Sequence, residues 1–212
     1  MTEKLKECDV LVIDYALGNH LSILNALSAF GYHYVVSNTE EDIRQAPCYI
    51  LPGVGAFPEA MANLRQLNII DLLAQEILGL KKPVLGICLG MQLLAEHSEE
   101  KGEHQGLGWI KGSVVRIKNT VNLRVPHVGW NEVQILKRRP LFDRLDQNAH
   151  FYFDHSYHFV CNEEFVGATC DYGGTLTAAV QQENIYGVQF HPEKSLTNGL
   201  KLYRSFFQFL KK

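Results

Sequence analysis

Cys88 sits in Gly86-Ile87-Cys88-Leu89-Gly90, a G-x-C-x-G pentapeptide between an apolar run and a helical-looking tail. A nucleophile on a tight strand-to-helix turn is held at strained backbone angles. Side chains two residues to either side would crowd it, so glycine at both places fits a thiol version of the nucleophile elbow. A helix starting just beyond would favour the thiolate, and the Leu89 N–H would point toward a developing oxyanion. On the pentapeptide alone, a buried core thiol is an equally good reading. A thiol nucleophile needs a base, and nine histidines are available. His191 stands out because "YGVQFHPEKS" is a strand ending in His-Pro-Glu. Proline keeps the preceding residue extended, and in extended chain His191 and Glu193 point the same way. A carboxylate beside an imidazole fixes its tautomer and stabilises the imidazolium. Read alone, the same tripeptide is also a polar strand end with Glu193 capping a helix. Oxyanion donors would come from another loop. In "LPGVGAFPEAM" (Leu51–Met61), Gly53 and Gly55 bracket Val54 after a strand. Such a loop presents backbone N–H groups, or is simply a connection; it lacks the Lys-Ser/Thr of a phosphate loop. His150, His155 and His158 do not make a metal site: 155 and 158 face opposite sides of a strand, and no other ligand spacing supports them.

The elements that must position these groups follow an α/β pattern. "DVLVIDY" is a nearly continuous apolar run, as expected for a strand buried on both faces. A helix with Leu21, Leu24 and Leu27 follows and stops at Gly31; "HYVVS" is a strand, and Thr39 opens a short acidic helix. "CYILPG" and "PVLGI" are strands on either side of helical stretches at Glu59–Leu67 and Ile69–Leu78, and "MQLLAEH" starts another helix. Strands alternating with helices imply a parallel sheet. From Gly108 onward the runs are strand-like and the sheet is expected to be mixed or antiparallel. A final helix, "NGLKLYRSFFQFL", offers Leu202, Phe206, Phe209 and Leu210 as one apolar face. The expectation is one domain over 1–212: a twisted α/β sheet with β-rich additions.

Bulk properties limit the function classes. The 212 residues are 46% hydrophobic and 20% charged, enough to bury a core without disulfides or metal. A net charge of −3, with Lys137-Arg138-Arg139 as the densest basic cluster, gives no case for nucleic acid or an anionic membrane. Five cysteines without a C-x-x-C pair suggest a reducing compartment. No segment approaches a membrane span or a signal h-region, so a cytoplasmic protein without metal or cofactor is the default expectation.

The three pieces of the site, in this order, resemble the class I (triad-type) glutamine amidotransferases. The closer likeness is to the glutaminase subunit of imidazole glycerol phosphate synthase. "IDYALGN", "LPGVGAF", "LGICLGMQLL", "GLGWIKGSVVR", "VPHVGWN", "HSYHF" and "VQFHPEKS" carry the resemblance across nearly the whole chain. It implies a class I glutamine amidotransferase-like (flavodoxin-like) twisted mixed sheet with flanking helices and β-rich additions. It also implies roles. Cys88 would attack the glutamine amide, His191 would move the proton and Glu193 would orient His191. Gly53, Val54 and Leu89 would form the oxyanion hole, and Gly55, Gln92, Ser156 and Tyr157 would hold L-glutamine. The ammonia would pass to a (β/α)₈-barrel cyclase subunit in a heterodimer. That subunit would dock on Pro126, His127, Val128, Gly129, Trp130 and Asn131, near Asn19 and Lys194.

This chain departs from the family's usual residues at Ala16, His20, Val128, Asp154, His158 and Trp109. None touches the triad, but on the docking side these changes would loosen the assignment of the partner. A paralogous amidotransferase feeding the amidation of a surface-polysaccharide sugar is the alternative, and Trp109 and His158 point toward it. A cysteine peptidase or esterase on a similar sheet is the further one.

Overall fold

The structure, a computed structural model, describes residues 9–18, 20–118 and 123–210. In chain order the elements are β1 (Val10–Ile13), α1 (His20–Ala29), β2 (Tyr34–Ser37), α2 (Glu40–Gln45), β3 (Tyr49–Leu51), α3 (Phe57–Gln66), α4 (Ile70–Ala74), β4 (Val84–Ile87) and α5 (Leu89–Gln92). They continue with β5 (His97–Ser98), β6 (His104–Gln105), β7 (Gly112–Arg116), β8 (His127–Ile135), β9 (Asn148–His155), β10 (Tyr157–Cys161), β11 (Val166–Asp171), β12 (Thr175–Gln182), β13 (Ile185–Val188) and α6 (Leu196–Leu210).

A nine-stranded sheet runs in the order β2-β1-β3-β4-β13-β12-β11-β8-β9, and a smaller one in the order β10-β7-β5-β6. The first five strands are parallel; β12, β11, β8 and β9 continue antiparallel. β1, β3, β4 and β13 are buried along their whole length, which is why they read as continuous apolar runs. The two-residue period sorts their side chains into two cores. Val10 and Val12 pack with Ile23 and Leu27 of α1 and Leu202 and Phe206 of α6. Leu11 and Ile13 pack with Ile43 of α2, Phe57 and Leu64 of α3, and Leu73 of α4. The sheet is therefore covered on both sides, as an α/β fold requires.

Local chemistry sets the element ends. Thr39 caps α2, accepting a hydrogen bond from Asp42 N–H at 3.3 Å. The stretch expected as a helix over Ile69–Leu78 is α4 continued by a π-helical turn, Gln75–Gly79. The helix expected from "MQLLAEH" ends after one turn. The carbonyls of Leu93, Leu94 and Ala95 instead accept from the N–H groups of Leu107, Trp109, Ile110 and Gly108. The crossing segment takes the acceptors that a longer helix would have used. Its Gly106 lies so close that a Cβ there would stand 2.2 Å from the Ala95 carbonyl.

Candidate active site

The parallel pairing of β4 with β13, in the middle of the sheet, brings two distant segments together at the carboxyl ends of the strands. Ile87 pairs with Val188, and Cys88 N–H donates to Val188 C=O at 2.8 Å. Cys88 thus leaves the carboxyl end of β4 beside the strand that leads to His191. The carboxyl ends of parallel strands are where open α/β sheets hold their ligands.

Cys88 has φ +53° and ψ −109°. A non-glycine residue in that region stores on the order of 1–3 kcal/mol of strain, which the surrounding packing must hold. Two glycines make the turn tight enough. A Cβ on Gly86 would stand 2.7 Å from the Gly90 carbonyl oxygen, and one on Gly90 only 1.9 Å from the Leu51 carbonyl oxygen. Gly53 completes the contact: its Cβ would meet Gly90 N and Leu89 Cβ, each at 2.8 Å. The 51–53 loop therefore lies directly on the start of α5. Tyr15 O–H donates to the Pro52 carbonyl and anchors it from beneath. Because α5 is a single turn, its dipole adds little to thiolate stability. The charge partner is His191.

His191 Nδ1 lies 2.7 Å from Glu193 Oε1, and both side chains are buried. That leaves Nε2 available to the Cys88 thiol, whose interaction with the ring raises the imidazole. Burial opposes a charge on His191. The hydrogen bonds and negative charges of Cys88 and Glu193 outweigh it and push the imidazole up to about 10. The arrangement suits a thiolate–imidazolium pair. Cys88 Sγ also faces the Asp154 carbonyl at 3.8 Å and Gln189 Nε2 at 3.7 Å.

A cavity of about 290 Å³ opens over Cys88, at the small end of ligand pockets. Val54, Gly55, Leu89, Gln92, Ser156, Tyr157 and His191 all line it, so the residues expected to bind glutamine and most of the expected oxyanion donors share one wall system. Gln92 donates both amide hydrogens, to Tyr157 C=O at 2.9 Å and to Gln189 Oε1 at 3.0 Å. It can therefore offer a ligand only its carbonyl oxygen.

Two groups at the site were missed at the sequence level, one behind the cavity wall and one on it. Gln189, just past the end of β13, is fully buried and orients Gln92; a polar residue two positions before His191 in an apolar run was the available signal. Glu100 lines the cavity and accepts the Phe57 N–H at 2.8 Å. A carboxylate there suits an ammonium group on the ligand, and nothing local in the sequence marks it. Among the described residues no cluster of three or more His, Cys, Asp or Glu could hold a metal ion, and no helix is long and apolar enough to cross a membrane.

Strand alternation divides the expected docking segment. Val128 and Trp130 are 54% and 50% exposed, opposite Asp154 and Tyr152 on β9. Lys194 reaches the same face, 4.0 Å from Asp154 Oδ2 and 5.5 Å from the Tyr152 ring centroid. Gly129 and Asn131 are half-buried, and Pro126 lies at the rim of the cavity. His127 is only 2% exposed and lies behind the face, not on it. Asn19 lies outside the described residues, as do the side chains of Phe209 and Leu210. Trp109 packs in the core at 6% exposure and His158 is half-buried, so neither belongs to the exposed docking side as expected.

Residues 11–209 match the family described as "Glutamine amidotransferase class-I". The chain is 52% identical over 203 residues to imidazole glycerol phosphate synthase subunit HisH 2 of Vibrio vulnificus, covering 95% of each chain. It is 44% identical to subunit HisH 1 of Campylobacter jejuni, covering 94% of this chain and 99% of that one. Among solved structures, PurLQS from Thermotoga maritima superposes with a TM-score of 0.74 at 19% identity, covering 95% of this chain and 98% of that one. A structure titled glutamine amidotransferase gives 0.73 at 21%, covering 95% and 99%.

Proposed function

This chain belongs to the class I glutamine amidotransferase family, alongside the HisH subunits of imidazole glycerol phosphate synthase, and on that premise we propose how its site works. It hydrolyses the side-chain amide of L-glutamine and hands the ammonia to a (β/α)₈-barrel cyclase subunit. That subunit uses it to make imidazole glycerol phosphate and an aminoimidazole carboxamide ribotide in histidine biosynthesis.

The Cys88 thiolate attacks the amide carbon. The oxyanion is met by the Leu89 N–H and the Gly53–Val54 peptide. His191 Nε2 gives its proton to the leaving nitrogen, so ammonia departs and a glutamyl thioester remains. His191 then takes a proton from water, whose hydroxide adds to the thioester carbon; collapse releases glutamate and expels the Cys88 thiolate, restoring the starting pair. Glu193, 2.7 Å from Nδ1, holds the ring's tautomer and balances its charge. Gln92 Oε1, Gly55, Ser156 and Tyr157 hold the glutamine, and Glu100 receives its ammonium.

The observation that carries this reading is the buried line Cys88–His191–Glu193 at the floor of the cavity, with Cys88 at positive φ. The exposed Val128 and Trp130, with Lys194 beside them, supply the docking face for the barrel subunit. With that subunit present, Cys88→Ala abolishes glutamine-dependent synthesis and leaves ammonia-dependent synthesis intact. Loss of both would argue against separate ammonia production. Pairing this gene and its own barrel partner in a histidine auxotroph lacking the glutaminase restores growth. Continued auxotrophy would move the ammonia to the sugar-modifying paralogue.

A further inference from the structure

A directional chain of hydrogen bonds runs beneath the glutamine wall, and the triad does not use it. The Tyr157 carbonyl can only accept, so His155 Nδ1, 2.8 Å away, carries the proton. In the neutral ring His155 Nε2 is then the acceptor, and His127 Nδ1 donates to it at 3.0 Å. His127 Nε2 must in turn accept, and Asn131 Nδ2 lies 3.3 Å from it. The Asn131 amide is itself fixed: Nδ2 also donates to Asp171 C=O at 2.8 Å, and Oδ1 accepts the Glu132 N–H at 2.8 Å. Each atom has one role, and the roles agree along the whole chain. The rings are clamped as well. His127 stacks on Tyr172 at 3.8 Å and on Phe153 at 4.6 Å between centroids, and His127 and His155 are register partners across β8 and β9. Burial lowers both imidazoles, His127 to about 4 and His155 to about 3, in keeping with two neutral rings.

The chain ends where the ligand is held. The Tyr157 carbonyl accepts from His155 and also from Gln92 Nε2, so both of its lone-pair directions are used. We propose that His127 and His155 are positioning residues for glutamine binding: the Asn131–His127–His155 chain fixes the Tyr157 carbonyl and, through it, Gln92 and the Ser156–Tyr157 wall. The inference rests on glutamine being the ligand of the cavity. It assigns the two histidines to substrate affinity and not to proton transfer.

The test is calorimetric titration of L-glutamine into the full chain carrying Cys88→Ala, with and without changes at the two histidines. His155→Asn keeps a donor near the Nδ1 position but loses ring volume; His155→Phe keeps the volume and loses the donor. The expected Kd for His155→Asn is within about threefold of the background, and that for His155→Phe is weaker by about tenfold or more, the scale of one lost hydrogen bond. His127→Phe, which keeps the stack on Tyr172, weakens binding in the same direction and serves as the comparison should His155→Phe not fold. A packing role alone predicts the reverse order, with phenylalanine tolerated better than asparagine, and that order or unchanged affinities overturns the inference. A background protein that binds no glutamine overturns the proposed function, and the inference with it.

Discussion

Changing His127 to Gln and His155 to Asn together should flatten the acid side of the stability profile. In the unfolded chain both imidazoles take up a proton below about pH 6.5. In the fold, burial holds them at about 4 and about 3. Between pH 6.5 and 4 the unfolded state therefore binds more protons, and stability falls as the pH falls. At pH 5 each histidine sits about 1.5 pH units below its unfolded value. At 1.36 kcal/mol per unit this is about 2 kcal/mol per histidine, or about 4 kcal/mol for the pair. That is a large fraction of the 5–15 kcal/mol typical of a domain. His191 shifts the other way: its stabilising contribution is fully present below about pH 6.5 and is lost as pH rises toward about 10. It is present in both proteins and cancels in the comparison. Urea unfolding at pH 7.5 and pH 5.0 measures the difference. The wild type should lose about 4 kcal/mol more than the double variant over that interval. Equal losses would show that the two rings are not held neutral and would refute the hydrogen-bond roles assigned to them.

Other substitutions probe separate parts of the account. Tyr203→Phe removes a buried hydroxyl with no hydrogen-bond partner among the described residues, so chemical denaturation should place it within about 0.5 kcal/mol of wild type or above it. A cost above about 2 kcal/mol would mean the phenol has a partner. Gly90→Ala forces a Cβ against the Leu51 carbonyl, displacing the 51–55 loop that carries the Gly53–Val54 peptide. Steady-state assays should show kcat for glutamine lowered on the order of 10²–10³, the cost of one misplaced oxyanion donor. Glu193→Gln keeps the size of the side chain but removes the charge that stabilises the imidazolium; kcat should fall on the order of 10²–10⁴ while circular dichroism stays unchanged.

The parts of the candidate site were legible because each has a local signature. Gly86 and Gly90 bracket Cys88 for a steric reason: a Cβ on either would collide with a backbone carbonyl. His191 is extended before Pro192, as expected, but Pro192–Lys194 form a 3₁₀ turn, so Glu193 reaches His191 Nδ1 from that turn and not from continued extended chain. The parallel half of the sheet was legible because strands buried on both faces read as unbroken apolar runs. What could not be read depends on register. The Gln189–Gln92 contact spans 97 residues and the His127–His155 contact 28. No local pattern states which residues of β8 and β9 will face each other. The length of α5 was likewise decided by the 106–110 segment that takes its carbonyls, not by the helical spacing of "MQLLAEH". Alternation did predict that neighbours on β8 face opposite ways. Assigning the whole of 126–131 to one surface ignored that rule, and His127 lies behind the surface as a result.

The central claim is that Cys88 attacks the amide of glutamine. Treating the full chain with a glutamine-analogue electrophile, digesting it and mapping the adduct by mass spectrometry tests this directly. A single adduct on Cys88, formed more slowly as L-glutamine is added, is the expected result. An adduct on another cysteine, or labelling of Cys88 that glutamine does not slow, would contradict it.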